Sequence, residues 1–295
     1  MASKRLLVTG AAGQLGTDLV RLLDKSFDIT ACDLTDFDIT SEQQVLDGIK
    51  SRRPDIVIHA AAMTNVDACE TNEDDAKRVN ADGTFHVARA CRQVGARLIY
   101  YSTDYVFDGA KATAYVETDR PNPRTVYGKS KLAGELFVSE ELSDYAIVRI
   151  AWVYGSNGSN FLKTMLGLAR KQAEIRHSGG VVSPLTVVDD QYGTPTCTEA
   201  IVRQTEEIIT RDLTGVFHAT SQDETTWYGF AREIFRLADL SVDIEPCTTE
   251  QFPRPAPRPR RSTLDNAALR QAGADIMPYW KESLERFMLD HKELL

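Results

Sequence analysis

Cysteine is scarce in this chain of 295 residues: Cys32, Cys69, Cys91, Cys197 and Cys247 are odd in number and widely spread. No Cys-x-x-Cys occurs, so the pattern suggests neither a disulfide framework nor a zinc site and reads as reduced thiols. The five histidines lack metal-ligand spacing too, and no metal is expected. Long apolar runs are missing. None approaches the roughly 20 residues of a membrane-spanning helix, so no membrane partner is expected. Residues Met1 to Gly10 enter a strand pattern at once and show no secretory signal, which predicts a cytoplasmic protein. Positive charge is in deficit: 34 Lys and Arg stand against 43 Asp and Glu, a formal net charge of −9 with a pI near 5.2. Nucleic-acid binding relies on neutralising phosphates, so that partner is not expected. A small phosphorylated ligand needs only a few local donors and stays open.

What is present is a soluble composition with a sizeable core: 42% hydrophobic and 26% charged residues. The length suits one large domain or two closely joined ones. Over residues 1–150, short apolar strands alternate with amphipathic helices. Strands are predicted at Arg5–Thr9, Asp28–Cys32, Asp55–His59, Arg97–Tyr101 and Tyr145–Ile150. Helices are predicted at Gln14–Lys25, Glu42–Ser51, Glu73–Val94 and from about Tyr127. Continuous apolar strands separated by helices mean a parallel sheet covered on both faces, the doubly wound α/β class. Its ligands sit beyond the carboxyl ends of the strands, at the switch point. After residue 150 the pattern loosens. Helices are predicted at Asn160–Lys171, Thr198–Thr210, Trp227–Ala238 and Trp280–Glu293. The proline- and arginine-rich stretch Phe252–Arg261 cannot be regular structure, because proline removes donors and fixes φ. The expectation is a Rossmann-like NAD(P)-binding domain over 1–150 and a smaller C-terminal substrate domain over 151–295. A segment near 185–225 is expected to return to the first domain.

Gly10-Ala-Ala-Gly13-Gln-Leu-Gly16 follows the first strand and opens the first helix. Glycine is needed where the chain turns tightly and where backbone must approach a pyrophosphate closely. The helix N-terminus adds free N–H groups and a favourable dipole. Asp33 lies 20 residues after Gly13, at the end of the second strand, where a carboxylate can accept hydrogen bonds from an adenosine ribose. A carboxylate there disfavours a 2′-phosphate, and Asp33-Leu-Thr-Asp36 offers no arginine to compensate. Charge alone therefore leans towards NADH or dual NADH/NADPH use. Asp38 and Ile39 stand either beside the adenine or as the N-terminal cap region of the next helix.

Tyr127 and Lys131 are four apart and share one helix face. A phenol has an ordinary pKa of about 10, and a nearby ammonium favours its phenolate. The pair therefore reads as a tuned acid for carbonyl reduction: the phenol donates a proton to oxygen while hydride arrives at carbon. Lys131 could also hold the nicotinamide ribose. Ser102-Thr-Asp-Tyr-Val-Phe-Asp-Gly109 follows the fourth strand, at the functional edge of such a sheet, and Thr103 is placed to bond a substrate carbonyl.

At these residues the chain resembles the extended short-chain dehydrogenase/reductase superfamily, and within it the dTDP-4-dehydrorhamnose reductase family. The likeness also rests on Arg53-Pro-Asp-Ile-Val-Ile-His-Ala-Ala-Ala62, Tyr127-Gly-Lys-Ser-Lys-Leu-Ala-Gly-Glu135, Trp152-Val-Tyr-Gly155, Val188-Asp-Asp-Gln-Tyr-Gly-Thr-Pro-Thr196 and Arg258-Pro-Arg-Arg-Ser-Thr-Leu-Asp265. It implies a catalytic triad of Thr103, Tyr127 and Lys131. It implies cofactor contacts at Gly13, Gln14, Leu15, Asp38, Ile39, Ala62, Met63, Thr64 and Tyr101, beside the loop residues Gly10 and Gly16. It implies sugar contacts at Thr103, Asp104, Tyr105 and Trp152. The implied reaction is reduction of the 4-keto group of dTDP-4-dehydro-L-rhamnose by NADPH or NADH to give dTDP-L-rhamnose. Ile150-Ala151 and Asn65 depart from the family's usual residues beside the sugar pocket, which leaves the exact sugar open. Some members carry magnesium at a dimer interface; no acidic cluster here carries that over. A homodimer is compatible with the pattern but not read from it.

Arg254, Arg258, Arg260 and Arg261 stand in an otherwise acidic chain, and Arg258 is a candidate partner for a substrate diphosphate. Three other readings keep the same motifs. A related sugar-nucleotide 4-ketoreductase or an epimerase shares the fold. A dehydratase of this superfamily has an Asp-Glu pair after the threonine, whereas Thr103 is followed by Asp104-Tyr105. A non-catalytic regulatory subunit, as in the methionine adenosyltransferase β-subunit, resembles the same family.

Overall fold

Two side-chain periodicities build the first half of the molecule. The computed structural model describes residues 4–294. Its elements run β1 (Arg5–Thr9), α1 (Gln14–Leu23), β2 (Asp28–Cys32), α2 (Glu42–Arg52), β3 (Ile56–His59), α3 (Val66–Thr71), α4 (Glu73–Lys77), a π-helical turn (Arg78–Asp82), α5 (Gly83–Val94), β4 (Arg97–Thr103), α6 (Val126–Glu141) and β5 (Tyr145–Ile150). Strand residues alternate between faces. Leu6, Val8, Ile58, Ile99 and Val148 pack under Leu19 and Leu23 of α1. Leu7, Val57, Leu98, Tyr100 and Ile147 pack on the opposite face under α2, α5 and α6. Each fully buried aliphatic contributes roughly 1.5–3 kcal/mol.

The second half adds β6 (Val153–Tyr154), α7 (Phe161–His177), β7 (Leu185–Val188), β8 (Tyr192–Gly193), β9 (Thr196–Cys197), α8 (Thr198–Thr210), β10 (Gly215–His218), β11 (Thr225–Thr226), α9 (Trp227–Leu237), β12 (Ile244–Cys247), α10 (Ala267–Gln271) and α11 (Trp280–Asp290). β10 joins the main sheet, whose order is β10-β5-β4-β3-β1-β2 with every pairing parallel. Ile201 and Ile208 of α8 pack with Leu19 and Leu23 of α1 in the same core. A separate core gathers Leu162 and Met165 of α7, Phe230 and Ile234 of α9, and Trp280, Leu284 and Phe287 of α11. Phe252–Arg261 carries no helix or strand beyond a single bridge of Arg261 to Tyr192.

The order reverses at β1, with β2 on one side and β3 on the other, which opens the cleft at its carboxyl end. Two departures from the sequence reading bear on that cleft. β4 continues through Ser102 and Thr103, which pair with Arg149 and Ile150, so Thr103 ends a strand rather than starting a loop. The helix expected over 73–94 is interrupted by the π-helical turn. That turn carries Asn80, whose side chain brackets Met63: Oδ1 accepts from the Met63 N–H at 2.8 Å and Nδ2 donates to its carbonyl at 3.0 Å. Nδ2 also donates to Ser130 Oγ at 3.0 Å, tying the widened turn to α6. Among the described residues no helix is long and apolar enough to cross a membrane.

Candidate active site

Two adjoining cavities lie along the carboxyl edge of the sheet. The first, about 360 Å³, is lined by Gly10, Gly13, Asp33, Asp38, Ile39 and Ala62, with Phe37 and Val79. The second, about 430 Å³, is lined by Gly10, Gly13, Gln14, Leu15, Gly16, Ala62, Thr64, Tyr101, Thr103, Asp104, Tyr105, Tyr127, Lys131 and Trp152. These take in every site residue expected from the sequence except two. Met63 is held by Asn80 and packs beside Tyr127 in a small apolar cluster. Arg258 lies outside: its Nη2 donates to Asp67 Oδ1 at 2.8 Å, and Arg254 Nε is 3.5 Å from the same carboxylate. In this state Arg258 is an intramolecular ion-pair partner, where the sequence suggested a free phosphate ligand.

The glycine loop fits a dinucleotide pyrophosphate. Gly10 has φ 68°, and a Cβ there would meet the Ala61 backbone nitrogen at 2.6 Å. A Cβ at Gly16 would lie 2.0 Å from the Gly10 carbonyl oxygen, so loop and helix touch backbone to backbone. Gly13 is the N-cap of α1 and has no side chain to bond the first-turn N–H groups, and Gly13, Gln14, Leu15 and Gly16 line the second cavity. Asp33 is partly committed to this loop, because its Oδ2 accepts from the Ala12 N–H at 2.8 Å. Asp38 Oδ1 accepts from both the N–H and the hydroxyl of Thr40, which holds its carboxyl below the usual range. The local string offers no arginine, but the fold brings one from α2: Arg52 Nη2 reaches Asp36 Oδ1 at 3.3 Å, and its guanidinium lies over the Phe37 ring. The charge at the end of β2 is therefore less one-sided than the string suggests.

α6 starts at Val126 because the Thr125 hydroxyl accepts from the Gly128 N–H at 3.0 Å. That cap puts Tyr127 and Lys131 on one turn-spaced face, both buried. Burial pushes the Tyr127 phenol up, against a smaller opposing effect of its hydrogen bond with Thr103. Burial pushes Lys131 down to about 7, opposed by the charge of Glu135. The Lys131 ammonium sits 4.1 Å from the centroid of the Tyr100 ring. In this structure burial is the largest influence on the phenol. The direction of that shift favours the protonated phenol.

Thr103 links the phenol to a buried carboxylate. Its Oγ1 donates to Asp104 Oδ1 at 3.0 Å and accepts from the Tyr105 N–H at 3.2 Å. Asp104 is buried, and burial raises its pKa to about 6 against the smaller opposing effects of hydrogen bonds with Ser262 and Thr103. The unfolded chain releases this proton near 3.8, so the charged carboxylate costs stability increasingly as pH rises from about 3.8 to about 6. Asp104→Asn keeps the acceptor for Thr103 and removes the charge. It is expected to be more stable than the parent above about pH 6, by on the order of 1–3 kcal/mol, with the difference vanishing below about pH 4. Denaturant melts across that range check it.

The sequence reading missed Trp227, Gln191 and Asn80. Trp227 lines the second cavity and stacks on Trp152 with ring centroids 3.5 Å apart. Its only sequence signal was an aromatic at the start of a helix, which periodicity assigns to the core. Among the described residues no group of three or more His, Cys, Asp or Glu is placed to hold a metal ion.

A doubly wound sheet, a glycine turn at its switch point and a buried Tyr-x-x-x-Lys pair beside a threonine define a short-chain dehydrogenase/reductase. The chain belongs to the dTDP-4-dehydrorhamnose reductase family: the family described as RmlD substrate binding domain matches residues 4–293. A dTDP-4-dehydrorhamnose reductase of Streptomyces griseus is 40% identical over 95% of this chain and 91% of its own length. A dTDP-4-keto-6-deoxy-D-glucose reductase of Streptomyces niveus is 38% identical over 95% of each. The crystal structure of dTDP-4-dehydrorhamnose reductase from Bacillus anthracis in complex with NADP superposes with a TM-score of 0.92 at 39% identity, covering 98% of this chain and 99% of that one.

Proposed function

We propose that the protein reduces the 4-keto group of dTDP-4-dehydro-L-rhamnose with NADPH or NADH to dTDP-L-rhamnose. The observation that carries this is the single cavity in which the uncapped glycine loop, Thr103, Tyr127, Lys131 and Trp152 meet. Residues 1–150 hold the dinucleotide: Asp33, Asp38 and Ile39 beside the adenosine, Gly13, Gln14 and Leu15 at the pyrophosphate, and Tyr101, Tyr127 and Lys131 towards the nicotinamide ribose. The bound dinucleotide supplies the hydride. Tyr127 then gives its proton to O4 of the sugar, and Lys131 stabilises the phenolate left behind. Thr103 orients the carbonyl oxygen towards that phenol. In this structure the one Thr103 hydroxyl hydrogen is donated to Asp104 Oδ1, so on substrate binding it turns from that carboxylate to O4.

Residues 151–295 receive the sugar nucleotide, with the 185–225 segment serving both halves. A third cavity of about 610 Å³ lies next to the second and carries Phe161, Leu168, Gln191, Phe252, Arg254 and Arg258. An apolar wall with two guanidiniums at its edge suits a nucleoside diphosphate. Asp67 is the anion those guanidiniums hold meanwhile. A dehydratase reading is disfavoured because position 105 is a tyrosine, whose ring meets Tyr127 edge-on at 5.7 Å, and supplies no second acid. A reductase acting on dTDP-4-keto-6-deoxy-D-glucose is the second reading, favoured by the Streptomyces niveus relative. Incubation with each keto-sugar nucleotide and NADPH or NADH, following nicotinamide absorbance and the product, separates the two. Stoichiometric oxidation with dTDP-4-dehydro-L-rhamnose is expected. No oxidation with either cofactor would sink the proposal.

A further inference from the structure

The Val188–Thr196 string, so far only a family resemblance, builds one aromatic element. Trp152 and Trp227 stack with ring planes within 4°. Trp227 is locked through its ring N–H: Nε1 donates to Gln191 Oε1 at 3.1 Å, and Gln191 Nε2 donates to Thr249 Oγ1 at 3.0 Å. Gly193 lies so close to the other indole that a Cβ there would come within 2.3 Å of Trp152 Cε2. Trp152 itself sits at φ 47°, in the left-handed region that a bulky side chain rarely adopts. Such backbone persists only where its surroundings over-determine it. Here the surroundings are the stacked indole and the glycine.

Position adds a second observation. Tyr105 and Trp227 are the residues shared by the reaction cavity and the larger arginine-edged cavity. A ligand spanning both has to pass between them. We infer that Trp227 is a positioning residue: it holds Trp152 in one orientation, so fixing which face of the sugar meets the hydride, and with Tyr105 it forms the threshold between sugar site and nucleotide cavity. This rests on the reductase reading above. Rotation of the sugar about its diphosphate link would present the opposite face and give the C4-epimeric alcohol. A misplacement of about 1 Å also costs about 10²-fold in rate, so the stack acts on both rate and stereochemistry.

The test uses the full-length protein and the variants Trp227→Leu, Trp227→Phe and Gly193→Ala. Gly193 does not line the nucleotide cavity, so its variant moves Trp152 without touching that wall. Two stacked indoles couple their transitions and give a bisignate band in circular dichroism, which the parent should show. Trp227→Leu and Gly193→Ala should lose that band and at least about tenfold in kcat, and should release a measurable share of the C4 epimer. In Gly193→Ala, dTDP affinity should stay within about threefold of the parent. Trp227→Phe, which keeps a flat ring, should recover most of kcat and the single product. Should Trp227→Leu fail to fold, Gln191→Leu frees the indole N–H without removing the ring and gives the same readings. Parental kcat and a single product in Trp227→Leu or Gly193→Ala after loss of the band would overturn the inference, as would a fall in kcat in Gly193→Ala with the band intact. Absence of turnover by the parent removes the reductase reading and this inference together. Turnover by the parent with unimpaired variants removes the inference alone.

Discussion

Tyr127→Phe lowers kcat for keto-sugar reduction by about 10²–10⁴-fold while NADPH affinity stays within about threefold. The ring of Tyr127 packs with Cys69 and Ala76, with Met63 and Tyr105 alongside, and a phenylalanine ring keeps all of those contacts. Only the hydroxyl is lost, and with it the proton for O4. Because burial pushes this phenol up, the parent holds its proton through neutral pH and well above it. The reductive rate should therefore show no loss from Tyr127 ionisation on the alkaline side of neutrality. Steady-state NADPH oxidation gives kcat, and quenching of nicotinamide fluorescence gives affinity. A variant keeping more than about a tenth of parental kcat would assign the proton to another group.

Lys131→Met separates activity from stability. The unfolded chain holds this proton up to its ordinary value of 10.5, the folded chain only up to about 7. Between those values the unfolded state binds more protons, so stability rises with pH across that window. Below about pH 7 the buried ammonium imposes its full cost, partly offset by the Tyr100 ring and by Glu135. Lys131→Met removes the charge and keeps most of the volume. It should be more stable than the parent near pH 6.5 by on the order of 2–4 kcal/mol, and its stability should vary less between about pH 7 and 10. Activity moves the other way. The ammonium present below about pH 7 stabilises the phenolate formed on proton donation, so parental kcat should increase as pH falls through that value. In Lys131→Met that step should be absent and kcat lower by about 10²-fold or more. Chemical melts and a pH–rate profile on the same preparations decide it. A variant that is less stable than the parent at every pH contradicts the burial cost, and a surviving step in its profile assigns the titration elsewhere.

Much of the arrangement was legible because it depends on local pattern. Short continuous apolar runs between amphipathic helices marked the main-sheet strands of the first half within a residue or two, and the glycine spacing placed the turn between β1 and α1. Tyr127 and Lys131 share a face wherever residues 126–141 are helical. The misreadings share one cause. A π-helical turn at 78–82 keeps helical periodicity on either side, so nothing in the string marks Asn80 as a bracket for Met63. The strand end at Thr103 is set by pairing with β5, which no local propensity reports.

By itself, the sequence determined the sheet class, the glycine turn between β1 and α1, and the shared helix face of Tyr127 and Lys131, since each follows from spacing within one strand, turn or helix. Tertiary structure decided the rest. It supplied Arg52 to the end of β2, tied Arg258 to Asp67, and stacked Trp227 on Trp152 across 75 residues of chain. It also set the charge state of the pair. Tyr127 and Lys131 four residues apart on a solvated helix would keep ordinary pKa values; closed under β4 and the second half of the chain, each is pushed towards its neutral form. Desolvation depends on what covers a group from every side, and that covering is assembled from distant parts of the chain.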